Sequence, residues 1–124
     1  MRLLLDTHAL LWWLADAELA PQAREKIADP ANTVAVSAAS AWEISIKKAL
    51  GKLSAPGDLL QQVQASDFSP LPIAINHALA AGQLPRHHED PFDRMLIAQA
   101  QIEQMTIVTR DKRFANYDVA VLAA

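Results

Sequence analysis

The sequence predicts an α/β fold with a mostly parallel sheet covered by helices on both faces. Three observations carry that prediction. Four short runs, at residues 3–5, 33–36, 106–109 and 119–122, are apolar without alternating polar positions, as strands buried on both faces read. Segments with helix start and stop residues fill the gaps between them. Strands and helices therefore alternate along the chain, the order of parallel strands joined by helical crossovers. The 124 residues fit a single domain, 1–124, large enough to bury a layered core.

The elements follow in order. The first strand, "LLL", ends at Asp6. "HALLWWLA" then reads as a helix that is apolar on every side, with Asp6 or Thr7 as its cap. Trp12 and Trp13 point about 100° apart on it and cannot face one core patch together. Either another helix of this chain covers them, or a second subunit or a partner's helix does. Pro21 suits a first helical position, with "QAREKIA" following. After the strand at 33–36, residues 40–50 predict a helix with a capping box at Ser40-x-x-Glu43. Lys47 and Lys48 stand in its last turn and Gly51 just past its end. A helix is expected over 55–65. The run at 68–73 holds Pro70 and Pro72, which confine it to an edge strand or a loop. A helix over 75–81 is expected to stop at Gly82. Residues 91–104 predict the longest helix, opened by Asp90 as cap, Pro91 at the first position and Asp93 in the first turn. After the strand at 106–109, Asp111 could cap the short turn "KRFAN".

Composition narrows the function. The chain is 52% hydrophobic and carries 14 acids against 11 Lys and Arg, a formal net charge of −3. It has no global field to attract nucleic acid, so any such contact would be local or mediated by metal. It has no cysteine, which excludes disulfides, thiolate nucleophiles and zinc–thiolate sites. Asp6 and His8 interrupt the apolar N-terminal stretch, and no run approaches the ~20 residues of a membrane span. A soluble, cytoplasmic protein is expected.

The acids carry the chemistry. Asp6 ends the first strand, Asp111 follows the strand at 106–109, and Glu43 and Asp93 lie early in helices. Strand C-termini and helix N-termini share one edge of a parallel sheet, the edge at which ligands bind. Four acids from distant positions are thus expected together. Each also has a capping role open to it, but capping does not explain why Asp6 ends a buried strand, nor why both Asp90 and Asp93 are needed. Converging carboxylates repel, and a divalent cation removes the conflict. All-oxygen donors suit Mg²⁺ or Mn²⁺. One or two such ions would lower the pKa of an attacking water and stabilise a phosphoryl group in transfer, so the chemistry implied is phosphodiester hydrolysis.

Four stretches, "LLLDTHALLWWL", "SAASAWEISIKKALGKL", "HHEDPFDRMLIAQA" and "IVTRDKRFANY", together resemble the PIN-domain family, and within it the VapC-type toxins of bacterial toxin–antitoxin pairs. They stand in the family's order and span residues 3–117. The resemblance places the family's four acids at Asp6, Glu43, Asp93 and Asp111, with Asp90 left as the helix cap. It implies a three-layer α/β/α sandwich with a five-strand parallel sheet, and a Mg²⁺- or Mn²⁺-dependent endoribonuclease acting on RNA. It also implies a homodimer and a small antitoxin partner.

Other residues have two readings each. His87 and His88 are expected in an exposed loop before a capped helix, with metal binding or acid–base work as the alternative. His8 and His77 receive no role. Thr7 and Ser37 read as caps, or as hydroxyls that orient water beside Asp6 or Glu43. Arg94 and Arg110 adjoin metal-site acids and could touch phosphate, hold carboxylates or form structural ion pairs. Lys47, Lys48 and Lys52 form the clearest basic patch, either a solvated face or a guide for RNA. Two rival classes remain. One is a non-catalytic PIN-like module that grips RNA or protein. The other is an α/β phosphotransfer domain, which Asp6-Thr7-His8 fits poorly because a phosphatase of that kind needs Asp-x-Asp.

Overall fold

The computed structural model describes all residues, 1–124. Its strands are β1 (Arg2–Leu5), β2 (Thr33–Ser37), β3 (Ser69–Leu71), β4 (Thr106–Thr109) and β5 (Val121–Ala123). Its helices are α1 (Thr7–Leu14), α2 (Pro21–Ala28), α3 (Ala38–Ala49), α4 (Leu59–Ala65), α5 (Ile75–Gln83) and α6 (Pro91–Glu103), with a 3₁₀ turn at Lys112–Asn116. The strands form one sheet in the order β3-β2-β1-β4-β5. Every neighbouring pair is parallel, with Leu4 beside Ala35 on one side and Ile107 on the other. The α/β class and the five parallel strands are as the sequence predicts.

The non-alternating strands are explained by their two covered faces. Leu3, Leu5, Val34, Val36 and Val108 point to one side and pack with Ala9 and Leu10 of α1, Ala23 and Ile27 of α2 and Val63 of α4. Leu4, Ala35 and Ile107, one residue out of phase, point to the other side and meet Leu96, Ile97 and Ala100 of α6. A period-2 backbone with apolar residues at every position needs exactly such a sandwich, since either face left bare would expose half the strand. Each buried Leu, Ile or Val contributes about 1.5–3 kcal/mol relative to exposure. No helix is long and apolar enough to cross a membrane.

Several local expectations change. α3 starts at Ala38, and its cap is Ser37, whose hydroxyl accepts from the Ala39 N–H at 3.0 Å. Ser40 is therefore inside the helix, buried, with no partner for its hydroxyl, and Ser40-x-x-Glu43 is not a capping box. Gly51 does leave α3 in the left-handed region, at φ 70°. Gly82 does not stop α5, which runs to Gln83. The helix end is instead closed from outside: Arg94 donates to the carbonyls of Ala81 and Leu84, each at 2.9 Å. α4 begins at Leu59 rather than near 55, because Pro56 and Gly57 disfavour a helix interior. β3 is the edge strand that its proline demanded. β5 begins two residues later than the run at 119, where Val119 turns back onto the Tyr117 carbonyl at 2.9 Å.

α1 is covered largely by its own chain. Trp13 packs against Phe68 with ring centroids 5.8 Å apart, and the Arg110 guanidinium lies 4.1 Å over the Trp12 ring. Both indoles are half-buried and face different neighbours, as their 100° separation requires.

Candidate metal centre at the carboxyl edge of the sheet

Asp6 leaves β1 and starts α1. One of its carboxylate oxygens accepts from the Ala9 N–H at 2.8 Å, which caps the helix. The other accepts from the Thr109 hydroxyl at 2.6 Å, across the sheet from the end of β4. The side chain is buried, and burial raises its pKa above the usual carboxylate range despite both hydrogen bonds. Asp6 therefore does two things at once: it caps a helix and presents a carboxyl group at the strand edge.

The same threonine reaches a second acid. The Thr109 hydroxyl oxygen accepts the Asp111 N–H at 3.1 Å, fixing the backbone from which that carboxylate projects. Asp111 caps the 3₁₀ turn through the Arg113 N–H at 2.9 Å, and the Arg113 guanidinium grips both its oxygens at 2.7–3.2 Å. This bidentate pair holds the Asp111 carboxyl below its ordinary value.

Glu43 comes from the second turn of α3 and is buried. It accepts from the Thr7 hydroxyl at 2.6 Å and pairs with Lys47, one turn along the helix, at 2.5 Å. Lys47 is held charged chiefly by that bond. Of the three lysines read as a basic patch, Lys47 therefore has a partner inside the acidic edge. Thr7 is a carboxylate donor rather than a cap, since Asp6 takes the capping position.

Asp90 accepts from the N–H groups of Phe92 and Asp93 at 2.9 and 3.0 Å and caps α6. Asp93 is thereby free to turn its carboxylate toward the sheet edge. Its pKa is pushed up to about 7, first by burial and then by the nearby charge of Asp90, against the bond it makes to His88.

His88 overturns the expectation of an exposed loop. It is 3% exposed. Its Nε2 lies 2.7 Å from Asp93 and 3.8 Å from Asp111. Its backbone N–H donates to the Tyr117 hydroxyl at 2.9 Å, that hydroxyl donates to the Pro85 carbonyl at 2.6 Å, and its ring stands edge-on to Phe114 at 6.0 Å. His87 remains exposed beside Tyr117. The signal was the doubled histidine just before a capped helix, which needs a His for neither capping nor packing. Arg94 makes no ion pair. It donates to the carbonyls of Ala81, Leu84, Pro85 and His88, and so anchors the loop that carries His88. Arg110 turns away to Trp12 and to the carbonyls of Glu18 and Ala124.

The four acids read from the sequence thus fall at one edge in two linked sets. His88, Asp93 and Asp111 each offer one donor atom, all within 4.8 Å of one another. Asp6 and Glu43 stand beside this group, Asp6 joined to Asp111 through Thr109 and Glu43 close enough to repel Asp6. The donor set fits a divalent cation. It mixes carboxylate oxygen with one imidazole nitrogen, and burial together with the charges of Asp90 and Asp6 makes Asp93 hard to ionise without added positive charge.

The family model described as PIN domain matches residues 3–120. Ribonuclease VapC22 of Mycobacterium tuberculosis is 29% identical over 122 residues, covering 92% of this chain and 90% of that protein. Among solved structures, VapBC2 from Rickettsia felis bound to a promoter DNA fragment superposes with a TM-score of 0.71 at 17% identity, covering 98% of both chains. A toxin–antitoxin complex from Klebsiella pneumoniae gives 0.69 at 24% identity, covering 97% of this chain and 95% of that one. At those identities the structural likeness speaks for the fold.

Proposed function

This chain belongs to the PIN-domain family, and from that premise we propose that it is a divalent-metal-dependent endoribonuclease, the toxin of a toxin–antitoxin pair. The observation that carries the reading is the donor group His88–Asp93–Asp111 joined to buried Asp6 at the sheet's carboxyl edge. The similarity to a ribonuclease matched over 90% of its length supports the substrate class. The solved complexes of similar folds support a small antitoxin as partner. A homodimer belongs to the same reading.

In this proposal Asp6, Glu43, Asp93 and Asp111 hold one or two ions of Mg²⁺ or Mn²⁺. When bound, the metal would lower the pKa of the attacking water and neutralise charge on the phosphoryl oxygens. The chain's own residues prepare that chemistry. Thr109 fixes the Asp6 carboxylate and the Asp111 backbone with one hydroxyl. Thr7 and Lys47 hold Glu43 from opposite sides. Asp93 keeps a proton to about pH 7 in the metal-free protein and must release it to act as a ligand, so ion binding strengthens as pH rises.

The test is cleavage of a mixed RNA pool in Mg²⁺, Mn²⁺ or EDTA, beside an Asp6→Asn variant, with any co-purified partner removed. We expect metal-dependent cleavage that falls roughly 100- to 1000-fold in the variant, the effect of losing one preorganised electrostatic group. A folded protein that binds Mn²⁺ and cuts no RNA would instead be a binding module.

A further inference from the structure

We infer that Trp42, backed by Phe92, is a stacking platform for a nucleobase of the RNA whose phosphodiester enters the acidic edge. The inference rests on the ribonuclease reading and adds a substrate-binding residue to it.

Trp42 is 62% exposed, while Trp12 and Trp13 are half-buried against Arg110 and Phe68. Its aromatic neighbour is Phe92, with ring centroids 5.4 Å apart and planes at 77°. That edge-to-face contact orients the indole and uses at most one of its faces. The residues beside it on the outer surface of α3, Ala38, Ala41 and Ser45, are small and exposed. They leave an open shoulder next to the ring.

The position of the pair names its ligand. Trp42 directly precedes Glu43 on α3, and Phe92 directly precedes Asp93 on α6. The ring contact therefore bridges the two helices that carry these acids, with Phe92 in the first turn of α6 beside Asp90 and Asp93. A flat, rigid apolar surface carried by the same two helices as the acids of a phosphodiester-binding centre suits a base. Trp42 itself is not part of the lining of the adjoining apolar groove, whose near wall is Ala38 and Ala41. Charge points the same way. With a net charge of −3, the chain gains little from long-range attraction of a polyanion, whereas stacking is charge-independent and sequence-tolerant.

The experiment takes the wild-type chain, Trp42→Ala, Trp42→Phe and Phe92→Leu, with folding checked by circular dichroism. The pool is used first, in Mn²⁺, and then the oligonucleotide from it that is cut fastest. That oligonucleotide is also made with a single abasic site at each position flanking the scissile bond. For Trp42→Ala we expect KM to rise roughly 5- to 100-fold, the size of one lost base stack, with kcat nearly unchanged, and Trp42→Phe to recover most of it. Phe92→Leu should fall between. One abasic position should weaken the wild type by a similar factor and Trp42→Ala no further, because the two changes remove the same contact. The salt dependence of KM should be the same in wild type and Trp42→Ala, since no phosphate contact is lost. Wild-type cleavage with an unchanged KM in Trp42→Ala, or abasic losses equal in both proteins, overturns the stacking inference alone. A Trp42→Ala chain whose oligomeric mass changes while KM does not assigns the ring to a protein contact and also overturns it. No cleavage by the wild type overturns both the inference and the ribonuclease reading on which it rests.

Discussion

The acidic edge has two halves that are held in different ways. Asp6 and Glu43 are buried, and neutral hydroxyls from Thr109 and Thr7 supply much of their hydrogen bonding. Asp93 and Asp111 are more open and are held by rings and cations, His88 for one and Arg113 for the other. The hydroxyls of the inner half lie at the end of β4 and the start of α1, and Lys47 is Glu43's one ionisable partner. The outer half is adjustable because its partners are ionisable or solvent-exposed.

Four changes would break or sharpen that contrast. The largest effect is expected from His88→Gln, which removes the ring between Asp93 and Asp111. Mn²⁺ affinity, read by titration calorimetry, should fall about 10- to 100-fold, while the Asp6–Thr109 bond persists. An unchanged affinity would make His88 a packing residue only. Next is Thr109→Val, which keeps the shape and leaves an oxygen of buried Asp6 without its donor. The fold should lose about 1–3 kcal/mol in denaturant unfolding, and the Asp6 pKa should rise further, because the lost hydrogen bond was lowering it.

The third is a pH effect of opposite sign in the outer acids. Asp93 has its pKa raised from the usual 3.8 to about 7. Between those values the folded chain holds a proton that the unfolded chain has lost, so metal-free stability falls as pH rises through the window and levels off above it. Asp111, with a lowered pKa, contributes stability that is present above the usual carboxyl range and lost as pH drops below it. Melting temperatures in EDTA should decline from pH 5 to 8, and saturating Mn²⁺ should flatten or reverse the slope. A rising slope in EDTA would place Asp93 among ordinary ionised carboxylates. The smallest effect is expected from Arg113→Ala. Its side chain is exposed, so melting should hardly move. The Asp111 carboxyl should return toward its ordinary pKa, visible by NMR titration.

Much of this was legible in the chain. The alternation of apolar runs with helix signals predicts four strands of a mostly parallel sheet, the resemblance implies the fifth, and the rule that strand ends and helix starts share an edge gathers Asp6, Glu43, Asp93 and Asp111 from topology alone. The caps at Asp90 and Asp111 follow from local sequence. What could not be read is who holds each acid. Thr109 meets Asp6 from 103 residues away, and no periodicity encodes that pairing. His88 reads as a loop residue because it precedes the capped start of α6 and no second cluster of nitrogen ligands accompanies it in the sequence. It is buried because Tyr117 and Phe114, far along the chain, close over it. Ser40 lost the capping role to Ser37 because the strand end at 37, not the first acid downstream, decides where α3 can begin. Gly82 lost its role as a stop signal to Arg94, a side chain thirteen residues from the carbonyl of Ala81 that it covers.

The central place of β1 has a further consequence. Its pairing with β2 needs only the first third of the chain, but its other neighbour is β4, at Thr106–Thr109. During translation at about 5–20 residues per second, the 103 residues between Asp6 and Thr109 correspond to about 5–20 s of synthesis. Through that interval the nascent chain has one open side on its central strand and lacks Thr109 and Asp111. Until the late strand leaves the ribosome and docks, the acidic edge is not assembled. The strand order therefore acts as a timer as well as a scaffold.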